Sequence, residues 1–153
     1  MSQSLSQLWI HIIFSTKNRF PFLDQSIQKR MHGYIKEICQ KQKCYLHAIG
    51  GIEDHIHLLV SLHKNISLSK LIEEIKKSSS KWIKTVKYSN STNNQFTWQA
   101  GYAAFSVSQS SLEATRSYIE NQVAHHRKQN FQEELRKFLN SYGVTYKEEY
   151  LWD

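Results

Sequence analysis

Apolar and polar residues along the chain follow two periods. Leu8 to Ser15 is dense in Ile, Phe and Trp and ends at the polar, basic Thr16-Lys17-Asn18-Arg19, which predicts a strand followed by a basic loop. From Asp24, a residue type suited to an N-cap, Ile27, Met31, Tyr34, Ile35 and Ile38 recur at steps of three and four. That spacing predicts an amphipathic helix ending near Gln42. Cys44 to Ile49 and His55 to Leu62 are two β-rich runs around Gly50-Gly51-Ile52-Glu53-Asp54, whose glycines and acid suit a tight reversal. An antiparallel hairpin is expected there.

A second helix is expected from Ser67, with Leu68, Leu71, Ile72, Ile75, Trp82, Ile83 and Val86 on one side at about 100° per residue. The same projection puts Lys70, Lys77, Lys81 and Lys84 together on the opposite side. Phe96 to Ser108 is aromatic, β-prone and broken by Gly101, which predicts one or two further strands. Ser110-Ser111-Leu112-Glu113 has the capping-box pattern and predicts a helix through about His126. A last helix carries Phe131, Leu135, Phe138, Leu139 and Tyr142 and stops at Gly143. Short strands, a local hairpin and several amphipathic helices predict an α+β fold, an antiparallel sheet with helices packed on it.

The chain has 153 residues, 40% of them apolar, which suits one domain spanning 1–153 with a substantial core. The Ser/Asn-rich stretch Tyr88 to Gln95 is too short for a linker, and no repeat is seen. No apolar run approaches the roughly 20 residues of a membrane span. The opening MSQSLSQLW lacks the basic start and apolar stretch of a signal peptide, so a cytoplasmic protein without a membrane partner is expected. Cys39 and Cys44 are too few for a disulfide framework and, as one C-x4-C pair, do not make a zinc knuckle; ordinary reduced thiols are expected. With 20 Lys and Arg against 13 Asp and Glu, the formal charge is +7 and favours an anionic partner, nucleic acid ahead of a membrane surface.

Two elements carry candidate chemistry. In Asp54-His55-Ile56-His57-Leu58-Leu59-Val60, side chains alternate on a strand, so His55 and His57 project together while Ile56 and Leu58 point into the core. Two imidazoles held in parallel suit a shared metal ion. Chance alone produces about 0.4 such pairs in a chain of this composition, and two solvent-facing histidines give the same pattern. The second element is Ser117-Tyr118-Ile119-Glu120-Asn121-Gln122, where Tyr118 and Gln122 share one helical face, with Leu112, Ile119 and Val123 on the adjoining apolar stripe. Read alone, these are a tyrosine and a surface amide. Together with the histidines they are complementary: His55, His57 and the Gln122 carbonyl offer three neutral ligands to a divalent ion and leave positions open for phosphate. Mg²⁺ or Mn²⁺ suits such donors, although Zn²⁺ or Cu²⁺ binds tighter by the usual affinity order. Tyr118 is the candidate nucleophile. A phosphotyrosyl ester preserves a cleaved phosphodiester as an activated link, since phenolate leaves far more readily than an alkoxide, so resealing needs no nucleotide cofactor.

These residues resemble the single-strand transposases of the HUH tyrosine class, the small enzymes of the simplest insertion sequences. The resemblance is carried by Trp9 to Phe14, Gly51 to Val60, Lys77-Ser78-Ser79-Ser80-Lys81-Trp82, Trp98-Gln99-Ala100-Gly101-Tyr102, Phe105-Ser106-Val107-Ser108, Tyr118 to Gln122 with His125-His126-Arg127, and Tyr150-Leu151-Trp152-Asp153. It implies His55 and His57 as paired metal ligands, Gln122 as the third, and Tyr118 as the nucleophile that takes a 5′ phosphate. It further implies a ferredoxin-like or RNA-recognition-like sheet. The implied activity is cleavage and rejoining of single-stranded DNA at element ends bearing hairpins, by a nucleoid-associated homodimer in which the tyrosine helix of one subunit can complete the histidine pair of the other.

The lysine row Lys70, Lys77, Lys81 and Lys84, with Lys17 and Arg19, is a candidate track for the hairpin backbone, or a solvated face. His125, His126 and Arg127 suit a helix C-terminus, where positive charge is favoured. His11, His32, His47 and His63 lack a partner pattern and receive no role. Three other readings compete: a replication initiator or relaxase, for which the chain is short; a non-catalytic hairpin-binding module; and a hydrolytic metallonuclease with a structural Tyr118.

Overall fold

The computed structural model describes residues 2–86 and 95–153, so most of the Ser/Asn-rich stretch lies outside the described residues. Four strands form the sheet: β1 (Trp9–Ser15), β2 (Tyr45–Ile52), β3 (His55–Ser61) and β4 (Ala103–Val107). Helix α1 (Gln25–Lys41) joins β1 to β2, and α2 (Leu68–Thr85) lies between β3 and β4. The sheet order is β2-β3-β1-β4, with every pair antiparallel. A β-α-β-β-α-β succession in that order is the ferredoxin-like arrangement. The α+β antiparallel architecture expected from the sequence is the one observed. Three further helices follow β4: α3 (Leu112–Glu120), α4 (Gln122–His125) and α5 (Phe131–Ser141).

Strand alternation divides the molecule into two layers. Ile12 and Phe14 of β1 and Ile56, Leu58 and Val60 of β3 pack with Ile27, Met31 and Ile35 of α1 and Leu71, Ile75 and Ile83 of α2 into the main core. The side chains between them, on the other face, meet α3, α4 and α5: Ile13 and Phe105 pack against Phe131, Leu135 and Leu139, while Ala48, Leu59 and Val107 pack against Leu112 and Ile119. Asp24 caps α1 by accepting from the Ser26 and Ile27 amides, and Ser67 caps α2 through the Lys70 amide. Cys39 and Cys44 are buried free thiols. Among the described residues no helix is long and apolar enough to cross a membrane.

Three local expectations are corrected. Gly50 and Gly51 lie inside β2 rather than in the reversal, which is made at Glu53-Asp54. They are glycine for closeness: a Cβ on Gly50 would sit 2.0 Å from the Ile119 carbonyl oxygen, and one on Gly51 2.2 Å from that of His55. The capping box does not form, because Gln109–Ser111 is a 3-10 turn and α3 starts at Leu112 without a side-chain cap. The helix expected to reach His126 breaks at Asn121 (φ −104°, ψ 29°), and Val123, beyond the break, is exposed instead of joining the apolar stripe. Of the one or two strands expected between Phe96 and Ser108, one, β4, forms, and Trp98 makes an isolated bridge to Thr16.

Candidate active site

The site lies on the sheet face covered by α3 to α5. His55 and His57 have no exposed surface, so they are not solvent-facing histidines. Each is fixed through its Nδ1. His55 Nδ1 lies 2.8 Å from Asp54 Oδ1, and His57 Nδ1 lies 2.8 Å from His11 Nε2, reached diagonally across the β1–β3 ladder. Both Nε2 atoms therefore point away from the sheet toward the helices. His55 Nε2 is 3.2 Å from Gln122 Oε1, and His57 Nε2 is 2.8 Å from Glu134 Oε1.

Glu134 gathers the rest. Its Oε1 also lies 3.6 Å from His55 Nε2 and 3.4 Å from His126 Nε2, and its Oε2 accepts the Tyr118 hydroxyl hydrogen bond. Gln122 Oε1 is 3.0 Å from His126 Nε2, and Gln122 Nε2 donates to the Tyr118 carbonyl across the Asn121 break. The Tyr118 ring stacks on His125 at 4.3 Å and presents its edge to His57 at 5.9 Å. A cavity of about 400 Å³ opens beside Tyr118 and Glu134, with Lys137 and Phe138 on its wall.

The electrostatics follow from burial and this one carboxylate. Burial pushes His57 down to about 4 against the pull of Glu134, and burial beside His57 pushes His11 down to about 3. Both rings are neutral at ordinary pH and hold a lone pair for bonding. Burial would raise Glu134, but hydrogen bonds from His126, His57 and Tyr118 hold it well below the carboxylate range. The Tyr118 phenol is pushed up, first by burial and then by its bond to that anion. His126 is raised because Glu134 outweighs its burial.

One ligand atom from each of His55, His57, His126 and Glu134 lies within 4.8 Å of the others. Ligands about 2.1 Å from a tetrahedral ion stand roughly 3.4 Å apart; the distances from Glu134 Oε1 to His126 and His55, 3.4 and 3.6 Å, match that spacing, and the rest of the group, spread within 4.8 Å, would draw in around an ion. One expectation changes: the donors are not all neutral, since Glu134 brings a negative charge to the group.

The sequence-predicted residues thus divide. His55, His57, Gln122 and Tyr118 come together within one chain. The basic residues do not join them: Lys70, Lys77, Lys81 and Lys84 line the outer side of α2, on the opposite layer, and Lys17 and Arg19 sit in a turn with left-handed Asn18 and Arg19. Lys70 pairs with Glu73 and Glu74, and Lys77 with Glu74, so part of the row is charge-compensated; Lys81 and Lys84 are exposed. Sequence reasoning missed His11 and Glu134 and gave His126 only a place at a helix C-terminus; His126 does cap α4, through its amide to the Gln122 carbonyl, and its ring joins the site as well. A signal existed for His11, since its alternation places it on the face of Ile13, Ser15 and the paired histidines. For Glu134 the signal was an acid among the apolar positions of its helix, one residue before Leu135.

Residues 4–122 match the family model described as "Transposase IS200 like". Among solved structures, a candidate transposase from Deinococcus radiodurans R1 aligns at 20% identity with a TM-score of 0.59, covering 80% of this chain and 98% of that one. A REP-associated tyrosine transposase bound to a REP hairpin aligns at 17% identity with a TM-score of 0.54, covering 78% and 70%. At these identities the structural likeness speaks for the fold. No curated protein matches. With the family model spanning most of the chain, from before β1 through Gln122, the protein belongs to the IS200-like transposase family.

Proposed function

We propose that the protein cleaves and rejoins single-stranded DNA through a 5′-phosphotyrosine link at Tyr118, with a divalent metal, Mg²⁺ or Mn²⁺, held by His55, His57 and Gln122. The observation that carries this reading is the convergence of the Tyr118 hydroxyl and both histidine Nε2 atoms on one carboxylate of the same chain. A divalent ion in that group supplies stabilisation of charge on the non-bridging phosphate oxygens. The Tyr118 oxygen attacks phosphorus, the bond to the 3′ oxygen breaks, and the leaving strand departs as a 3′ hydroxyl. An incoming 3′ hydroxyl reverses the exchange and releases Tyr118. His11 and Asp54 orient the two imidazoles throughout, as partners on the far ring nitrogen do at metal centres.

DNA hairpins are the proposed recognition element, supported by the family and by the hairpin held by one structural neighbour. Lys81 and Lys84, with Lys17 and Arg19, are proposed as backbone contacts; Lys70 and Lys77 contribute after exchanging their glutamate partners for phosphate. The protein is further proposed to act as a homodimer that joins two element ends, each subunit bringing its own tyrosine and histidines. The experiment is incubation with labelled hairpin-bearing single strands and Mg²⁺ or Mn²⁺, followed by a denaturing gel. A covalent protein-DNA band is expected, lost in Tyr118→Phe while hairpin binding persists. Free fragments alone would indicate a nuclease, binding without either product a retired module, and a band surviving Tyr118→Phe another nucleophile.

A further inference from the structure

The family segment ends at Gln122, and α5 lies beyond it, yet α5 delivers the group that the other site residues share. We propose that Glu134 is a two-sided positioning residue: Oε1 is an anionic donor to the metal, and Oε2 holds the Tyr118 hydroxyl beside it. The inference rests on the metal-and-tyrosine reading above and adds to it a role for the carboxylate on which those groups converge.

The two oxygens of Glu134 face different partners. Oε1 lies 2.8, 3.6 and 3.4 Å from the Nε2 atoms of His57, His55 and His126, the spacing of donors around one ion. Oε2 faces away from that group and accepts from Tyr118. The carboxylate is 1% exposed, and a buried charge is tolerated only when paired or bound to metal. Its helix is anchored to keep it there. Phe131 stacks under His55 at 4.6 Å, Phe138 packs against His11 at 5.2 Å, and Asn130 caps α5 through the Glu133 amide. A side chain bound at both ends sets the distance between ion and nucleophile, which in-line attack on a bound phosphate requires. The added charge also raises affinity for a cation over what imidazoles and an amide supply.

Two variants of the full chain separate the parts. Glu134→Gln is isosteric and neutral, leaving a single carbonyl oxygen that can serve the metal or the phenol but not both; Glu134→Ala removes both oxygens. Mn²⁺ binding is followed by the loss of its free electron-paramagnetic signal, and Tyr118 by its ring carbon resonance in ¹³C-tyrosine protein without metal, assigned with Tyr118→Phe. Mn²⁺ affinity should fall by at least about tenfold in both variants, the scale on which even outer-sphere partners act. The Tyr118 resonance should move in both, most in Glu134→Ala. Affinity within twofold of wild type in Glu134→Ala overturns the donor role, and an unmoved Tyr118 resonance overturns the hold on the nucleophile, with the broader reading intact. Wild-type protein that binds no Mn²⁺ sinks the donor role together with the metal reading it rests on.

Discussion

Replacing Gly50 by alanine tests how the nucleophile is placed. The new Cβ would meet the Ile119 carbonyl oxygen at 2.0 Å and its carbon at 2.9 Å, whereas ordinary contact begins near 3.4 Å. Both are backbone atoms, so no side chain can rotate away and α3 must lift from β2 by roughly 1 to 1.4 Å. Overpacking of this kind costs about 1–3 kcal/mol. For a chain of this size each kcal/mol shifts Tm by about 2–4 °C, so a drop on the order of 2–12 °C is expected. Tyr118 adjoins Ile119 and moves with it, and a displacement of about 1 Å at a reacting group costs on the order of 100-fold in rate. Gly33→Ala is the control: on the exposed side of α1, with nothing within 4 Å of its Cβ, it should stabilise by about 0.5–1 kcal/mol and leave the rate alone. Urea unfolding by circular dichroism and single-turnover adduct formation read both quantities. If the two variants change stability in the same direction, or Gly50→Ala forms adduct at the wild-type rate, the close approach of α3 to β2 is not what places Tyr118.

Three further outcomes follow from the geometry. His11→Phe fills the same space without a partner for His57 Nδ1, and Mn²⁺ affinity should fall about 10–100-fold; an unchanged titration would remove His11 from the site. His32, on α1, is pushed by burial to about 4, so the unfolded chain takes its proton first and stability is lost as pH falls from about 6.5 to 4, by at most about 3 kcal/mol. His32→Gln should flatten that limb in urea melts across this range, and a slope as steep as wild type would refute the assignment. Lys76 donates to the carbonyls of Gln99, Ala100 and Gly101 at 2.7–3.2 Å, and Lys76→Met, which leaves them unpaired, should destabilise by about 2–4 kcal/mol; a melt within about 0.5 kcal/mol of wild type would contradict this.

What the sequence revealed depended on the range of the forces involved. The faces of α1 and α2 and the shared projection of His55 and His57 are set by local period, and period is visible in one chain. Gly50 misled because glycine has two uses, and its use here is set by a helix carbonyl about seventy residues away. The Asn121 break was hidden because Tyr118 and Gln122 keep helical spacing on either side of it. Glu134 was hidden for a stronger reason: its partners His57, His55 and Tyr118 lie on other elements, and only the docking of α5 brings them within bonding distance.

The sheet's two faces have one practical consequence. Every donor in the candidate site hangs from a single side, while Met31, Ile35, Leu71 and Ile83 fill the other and touch none of them. The buried side chains of that reverse side can be repacked for thermal tolerance without replacing a donor, provided the outer lysines of α2 are kept, because β1 and β3 turn their other face, with His11, His55 and His57, to the chemistry.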